Sequence, residues 1–304
     1  MSLALLVPGA GGQLATDLLD LVRFERNAFA RGLTAADLDV TDPFAVKDMI
    51  GTWARLLRSD SPDHRLVVVN AAAYTDVDGA EDDEDAAYAV NATAPALLAQ
   101  ACAAAGARLI HVSTDYVFPG DRVDGPPYEV DEPTGPRSAY GRTKLAGEQA
   151  VRELHPQGGT VVRTAWLYGG AGRTFVTTMT RLEQERDVLQ VVDDQRGSPT
   201  CSRDLAAGLL ALARADVPGG MLHCTSTGET TWHGFAQAVF AELGADPGRV
   251  RPTTSEAFAS RAQRPSYSVL STRSWDGAGL PALPDWRDAL RSHFVRTRAR
   301  AGAS

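Results

Sequence analysis

"LALLVPGAGGQLATDLLDLV", residues 3–22, decides how the rest of the chain is read. Residues 3–7 form a short apolar run, the pattern of a strand buried on both faces. Gly9, Gly11 and Gly12 cut the run off. Leu14, Leu18, Leu19 and Val22 then recur at the spacing of one helix face. The order is strand, glycine-rich turn, helix. Gly9, Gly12 and Ala15 stand at GxxGxxA spacing. Positions without a side chain let a backbone approach a pyrophosphate, whose charge a helix N-terminus stabilises. Glycines also serve tight turns with no ligand. The motif therefore gains its weight from its place after the first strand of an alternating chain.

The alternation continues. "RLVVVNAAAY" (65–74), "RLIHVSTDYVF" (108–118) and "TVVRTAWLYG" (160–169) read as further strands. "AYAVNATAPALLAQACAAAGA" (87–107) and "YGRTKLAGEQAVREL" (140–154) read as helices between them. Such a chain predicts a parallel α/β sheet covered on both faces. Beyond it, "DLAAGLLALARA" (204–215), "WHGFAQAVFAELG" (232–244) and the closing 284–300 stretch read as helices. Pro and Gly clusters near 119–136 and 264–284 mark loops. The arginines of 291–300 are read as a solvated helix end rather than a nucleic-acid arm.

Bulk properties narrow the function classes. The 304 residues suit one large domain or two closely packed ones. A net charge of -8 disfavours nucleic acid or an anionic membrane as partner. Cys102, Cys201 and Cys224 lie far apart with no CxxC pair. That argues against a disulfide framework or structural zinc and fits a reducing cytoplasm. No signal peptide or membrane span is read at the N-terminus.

One constellation points to chemistry. In "STDYVFPGDRVDGPPYEVDEPTGPRSAYGRTKLAGE" (113–148), a strand delivers Ser113, Thr114 and Asp115, and a helix follows with Tyr140 and Lys144. The YxxxK spacing puts phenol and ammonium on one helix face. A free tyrosine titrates near about pH 10, and a neighbouring ammonium is expected to lower that value. A phenol, an ammonium and a strand-end hydroxyl together can protonate an alkoxide forming at a carbonyl. The bland reading, a surface tyrosine beside a solvated lysine, does not explain the upstream motifs. At the second strand, where an acid commonly binds ribose, "NAFARGLTAADLDV" (27–40) offers Arg31, with Asp39 further on. Arg31 facing a 2′-phosphate would indicate NADPH; as a surface arginine it leaves NADH equally open.

The chain resembles the extended short-chain dehydrogenase/reductases, and within them the dTDP-4-dehydrorhamnose reductase family. The resemblance rests on "GAGGQLA" (9–15), "DLDVTDP" (37–43), "VNAAAYTDVDGAE" (69–81), "VNATAP" (90–95), "HVSTDYVFPG" (111–120), "YGRTKLAGE" (140–148), "RTAWLYG" (163–169), "DDQRGSPT" (193–200) and "LPDWRDAL" (283–290), in the family's order. It implies a Rossmann-type doubly wound parallel sheet with a smaller C-terminal substrate-binding region. The boundary would lie between 1–165 and 166–304, with later segments returning to the sheet.

The resemblance also implies site residues. Gly9, Gly12, Gln13 and Leu14 would lie along the cofactor pyrophosphate and ribose, and Asp39 and Val40 beside the adenine. Ala71, Ala72, Ala73 and Tyr74 would line the cofactor, with Asn91 near its nicotinamide half. Thr114, Tyr140 and Lys144 would be the catalytic set, Lys144 also bonding the nicotinamide ribose. Val77, Asp115, Tyr116 and Trp166 would join Thr114 and Tyr140 in facing the sugar nucleotide. The implied reaction is reduction of a dTDP-4-keto sugar by NADPH or NADH. A sibling deoxysugar reductase and a dinucleotide-binding regulatory subunit are the alternatives. A homodimer is the assembly the resemblance allows. Glutamates that bridge subunits through magnesium in some members have no match here: Val191, Val192, Asp193 and Asp194 stand in that region, so no metal is expected. The loop 118–140 is expected to cover the site, and no role falls to Cys201 or His223.

Overall fold

In the computed structural model of this protein, which describes residues 2–301 except 124, 170, 171 and 259, the opening stretch forms β1 (Leu3–Pro8) and α1 (Gln13–Val22). There follow β2 (Ala28–Leu33), α2 (Pro43–Asp60), β3 (Arg65–Asn70), α3 (Gly79–Asp82), α4 (Glu84–Tyr88) and, after a π-helical turn, α5 (Ala94–Ala105). Next come β4 (Arg108–Thr114), α6 (Ala139–Leu154) and β5 (Gly159–Thr164). β1 to β5 and the later β10 (Gly220–His223) pair in parallel in the order β10-β5-β4-β3-β1-β2. Leu3 stands opposite both Ala28 and Arg65, and Leu109 opposite Gly159.

Every residue of β1 is buried, because the strand's period of two sends alternate side chains to opposite helix layers. Leu3, Leu5 and Val7 join Leu14 and Leu18 of α1 and Leu205 and Leu209 of α8 (Ser202–Arg214). Ala4 and Leu6 pack instead with Ile50 of α2 and Leu98 of α5. Both faces are thus dry, which is why β1 reads as a continuous apolar run.

From β1 the chain runs outward to β2, then crosses back to β3 on the other side. This reversal opens a crevice at the carboxyl ends of β1 and β3, where such sheets bind ligands.

Between α6 and α8 lie β6 (Leu167–Tyr168), α7 (Phe175–Glu185), β7 (Leu189–Val192), β8 (Arg196–Gly197) and β9 (Thr200–Cys201). After β10 come β11 (Thr230–Thr231), α9 (Trp232–Leu243), β12 (Val250–Thr253), α10 (Arg273–Gly277) and α11 (Trp286–Ala301). Tyr168, Val176, Phe235, Phe240, Trp286 and Leu290 make a separate core for this later part. No described helix is long and apolar enough to cross a membrane.

Four elements differ from the sequence expectation. The strand expected over 65–74 stops at Asn70, whose Oδ1 accepts from Ala72 N at 3.1 Å and turns the chain. The run 87–107 is interrupted by the π turn Ala89–Thr93. Pro95 has no N–H to offer Asn91, so the regular bond four residues back is missing there. The strand expected over 108–118 stops at Thr114, whose hydroxyl accepts from Tyr116 N at 3.2 Å and caps a short 3-10 turn. The strand expected over 160–169 breaks at Trp166, which has φ +47°. That left-handed conformation is rare for a bulky side chain.

Candidate active site

The crevice is a cleft of about 1090 Å³, above the range of roughly 300–1,000 Å³ usual for one small-molecule site. Its floor begins with the glycine turn. Gly9 has φ +86°, and a Cβ there would stand 2.5 Å from Ala72 N, so the turn runs hard against the end of β3. Gly12, the residue before α1, makes no side-chain cap, leaving the first-turn N–H groups of α1 to an anion or water. Gly11 faces open space. Gln13 Nε2 donates to Leu167 O at 3.4 Å, while its buried Oε1 has no partner among the described residues.

The β2 end of the cleft is lined by Thr34, Ala35, Leu38, Asp39, Val40 and Thr41. Asp37 accepts from Thr34 N and Oγ1 at 2.9 and 2.6 Å. Asp39 does the same for Thr41 N and Oγ1, at the same two distances. Those hydrogen bonds hold both carboxyls below their ordinary value, and the Arg31 charge adds to the effect on Asp37. Arg31 itself is exposed and does not line the cleft.

At the other end stand Thr114, Tyr140 and Lys144, all on the cleft wall. Ser138 starts α6 by accepting from Gly141 N at 3.1 Å. Glu81 accepts from Ala139 N at 2.8 Å, and Glu84 takes both Arg142 Nε and Nη2, at 2.9 and 2.6 Å. The first turn of α6, which carries Tyr140, is therefore clamped to α3 and α4. Asn91 completes the clamp. Its Oδ1 accepts from Tyr74 N at 2.9 Å, and its Nδ2 donates to Tyr74 O and to Thr143 Oγ1. A Cβ on Gly147 would stand 2.1 Å from Asn91 O, so α6 lies directly on the π turn.

Lys144 Nζ donates to Val112 O at 2.7 Å. Burial lowers its pKa to about 8, with Glu148 acting in the opposite sense. Burial pushes the Tyr140 phenol well up; the neighbouring Thr114 hydroxyl opposes this, and the nearby Asp115 and Tyr116 add to it. The expectation that Lys144 lowers the Tyr140 pKa is thus not met: the ammonium is turned to a carbonyl, and desolvation dominates the phenol. Asp115 is buried and raised to about 6 by desolvation, against hydrogen bonds from Ser268 and Thr114. The Tyr116 and Tyr140 rings meet edge to face at 5.6 Å.

The sequence-derived residues Gly9, Gly12, Gln13, Leu14, Asp39, Val40, Ala71, Ala72, Ala73, Val77, Thr114, Asp115, Tyr116, Tyr140, Lys144 and Trp166 all line this cleft. Tyr74 and Asn91 do not; they brace its wall from behind. Sequence reasoning left out Arg173 and Trp232, which line it too. It also left out Arg264, whose Nη2 reaches Asp78 Oδ2 at 2.7 Å and whose Nη1 reaches the Tyr116 hydroxyl at 3.4 Å. The only local signal for Arg264 was a charged residue inside a Pro-containing loop.

The model of the RmlD substrate binding domain matches residues 3–298. A dTDP-4-dehydrorhamnose reductase of Streptomyces griseus is 49% identical over 302 residues, 98% of this chain and 95% of its own. The chain belongs to the dTDP-4-dehydrorhamnose reductase family. A member described as dTDP-4-keto-6-deoxy-D-glucose reductase, from Streptomyces niveus, is 45% identical over 95% of this chain and 96% of its own. The crystal structure of the Bacillus anthracis dTDP-4-dehydrorhamnose reductase in complex with NADP superposes with TM-score 0.88 at 34% identity, covering 97% of this chain and all of that one (100%). With family membership, the doubly wound sheet is of the Rossmann type seen in extended short-chain dehydrogenase/reductases.

Proposed function

We propose that this protein reduces the C4 keto group of a dTDP-4-keto-6-deoxyhexose with NADPH or NADH. The sugar is dTDP-4-dehydro-L-rhamnose and the product dTDP-L-rhamnose. The observation that carries this reading is that Thr114, Tyr140 and Lys144 line one end of a cleft whose floor holds a glycine turn and an uncapped helix N-terminus. The relatives' names supply the sugar.

The residues present fit a dinucleotide. The Gly9–Gly12 turn and the α1 N-terminus suit a pyrophosphate. Gln13 Oε1, Ser113 Oγ and Thr164 Oγ1 are buried, have no partner among the described residues and belong to cleft-lining residues, ready for ligand hydroxyls or amides. NAD(P)H, when bound, supplies hydride to the sugar's carbonyl carbon. Thr114 Oγ1 orients the carbonyl oxygen from the end of β4. Tyr140, kept protonated by burial, gives its phenolic proton to that oxygen as negative charge develops on it. Lys144, one helical turn on, stabilises the phenolate left behind once its ammonium turns toward it. The wall of Trp166, Tyr116 and Tyr140 keeps water from the reacting carbon. Three buried free thiols support a cytoplasmic setting.

The deciding assay follows absorbance at 340 nm with NADPH, and separately NADH, plus dTDP-4-keto-6-deoxyglucose, with and without a 3,5-epimerase. Oxidation only with the epimerase is the expected result. Oxidation without it would assign the enzyme to the other sugar, as in the relative that reduces dTDP-4-keto-6-deoxy-D-glucose. Tyr140→Phe should lower the rate roughly a hundredfold or more; a near-normal rate would sink the catalytic assignment.

A further inference from the structure

Arg264 is outside the set of cleft-lining residues, yet it touches one of them. Its Nη2 donates to Asp78 Oδ2 at 2.7 Å, and its Nη1 donates to the Tyr116 hydroxyl at 3.4 Å. Asp78 follows the cleft-lining Val77 and precedes α3. Tyr116 lines the cleft itself, and its ring meets that of Tyr140 edge to face. One guanidinium from a distant segment thus holds the direct neighbour of the Tyr140 phenol.

The backbone around Arg264 is pinned on both sides. On one side Ala262 N donates to Asp78 Oδ1 at 3.0 Å, and Arg261 pairs with Asp82 of α3. On the other side Ser266 N and Ser266 Oγ both donate to Gly120 O, each at 2.8 Å. Pro265 presses on Gly120, where φ is +67° and a Cβ would stand 2.4 Å from Pro265 Cβ. Only glycine fits such a contact. Residues 261–266 therefore strap the α3 side of the cleft to the 115–120 stretch, with Arg264 inside the strap. Both Asp78 oxygens are committed to it.

The ion pair does little for folding. The Arg264 and Asp78 side chains keep 32% and 40% exposure, and a pair so open to water adds little stability. Its effect is directional. A guanidinium can only donate, so the Tyr116 oxygen accepts and its own proton is left for another partner. A phenol held at its tip also keeps its ring edge on Tyr140. We infer that Arg264, aimed by Asp78, is a positioning residue for the reduction: it fixes the Tyr116 hydroxyl and ring, and through them the Tyr140 phenol. The inference rests on the reductase reading and adds to it two residues that touch neither substrate nor cofactor.

The test is a double-mutant cycle on keto-sugar turnover with wild-type protein, Arg264→Leu, Tyr116→Phe and the double variant, with NADPH affinity and thermal melts measured alongside. Arg264→Leu should lower kcat/KM roughly tenfold, most of it in kcat. In the Tyr116→Phe background the same change should cost no more than about twofold, because the hydroxyl it acts through is gone. Arg264→Lys restores a donor without the fork and should recover part of the loss. NADPH affinity should be unchanged in all of them. Asp78→Asn removes the ion pair but keeps an acceptor for Ala262 N; it should show a smaller loss of the same pattern, and it decides the matter if Arg264→Leu impairs folding. Unchanged kcat/KM in both Arg264→Leu and Asp78→Asn overturns the inference. So does an undiminished loss in the Tyr116→Phe background, which would mean that the guanidinium acts on the substrate directly or on the fold at large. Either result leaves the reductase reading intact as long as the wild-type protein turns over. Wild-type protein that reduces no keto sugar overturns both.

Discussion

Lys144 Nζ is bonded at 2.7 Å to the carbonyl of Val112, near the end of β4, rather than turned toward Tyr140. A buried ammonium held by one carbonyl loses its proton more easily than a solvated one, and its pKa falls to about 8. Because the value is lowered, the charged form is complete only below about pH 8. Keto-sugar reduction should therefore decline as pH rises through that value. A kcat/KM profile from about pH 6 to 10 checks this. Lys144→Met should be slow at every pH and lack the alkaline limb; the same limb in that variant would assign it to another group.

Asp115 gives the opposite sign. Burial raises its carboxyl from 3.8 to about 6, so the folded state holds its proton more tightly than the unfolded chain. The penalty for a buried charge is absent below about pH 4, grows as pH rises through about 6, and is complete above it. Asp115→Asn should thus stabilise the protein at pH 7.5 by on the order of 3 kcal/mol and make little difference at pH 4. Thermal melts at both pH values test this, and an equal shift at the two would refute the electrostatic cause. Activity should fall in the same variant, because Asp115 accepts from the Thr114 hydroxyl at 3.0 Å.

Glu148 and Arg163 form a buried pair that ties α6 to β5, with Nε–Oε1 at 2.9 Å and Nη2–Oε2 at 2.7 Å. Both side chains are almost fully buried, at 2% and 3% exposure. Glu148→Gln leaves a buried cation without its counter-charge and should cost about 3–5 kcal/mol. Replacing the pair together, Glu148→Leu with Arg163→Met, should cost markedly less. Denaturant melts of the single and double variants decide the matter; a double variant as unstable as the single would mean that shape rather than charge is at stake.

Gly147→Ala should loosen α6 from the π turn, since the new Cβ would meet Asn91 O at 2.1 Å. The expected loss is about 1–3 kcal/mol. A fall in kcat larger than the change in KM should accompany it, as Tyr140 and Lys144 ride on that helix. Gly277→Ala is the control. Nothing lies within 4 Å of a Cβ there, and a helical alanine should be neutral or gain up to about 1 kcal/mol.

Much of the site was legible because it is local. The glycine turn, the Thr114–Asp115 strand end and the Tyr140/Lys144 face each lie within a few residues of one another, and backbone periodicity alone aims them. The helix expected over 140–154 differs from α6 by one residue at its start. The π turn Ala89–Thr93 has a local cause as well, since Pro95 lacks the N–H that a regular helix would offer Asn91. The charge state of Tyr140 was not readable, because it depends on burial and on where the Lys144 ammonium points.

From its own residues the sequence determined an alternating α/β chain, its cofactor turn and its proton-transfer pair, since these rest on short-range spacing and on chain-neighbour chemistry. Tertiary structure alone decided that Trp232 lies on Trp166 and that Arg264 reaches Tyr116. These partners come from distant segments. Their meeting is set by the order in which strands enter the sheet and by how the later core packs over its carboxyl ends, neither of which is written in any local stretch.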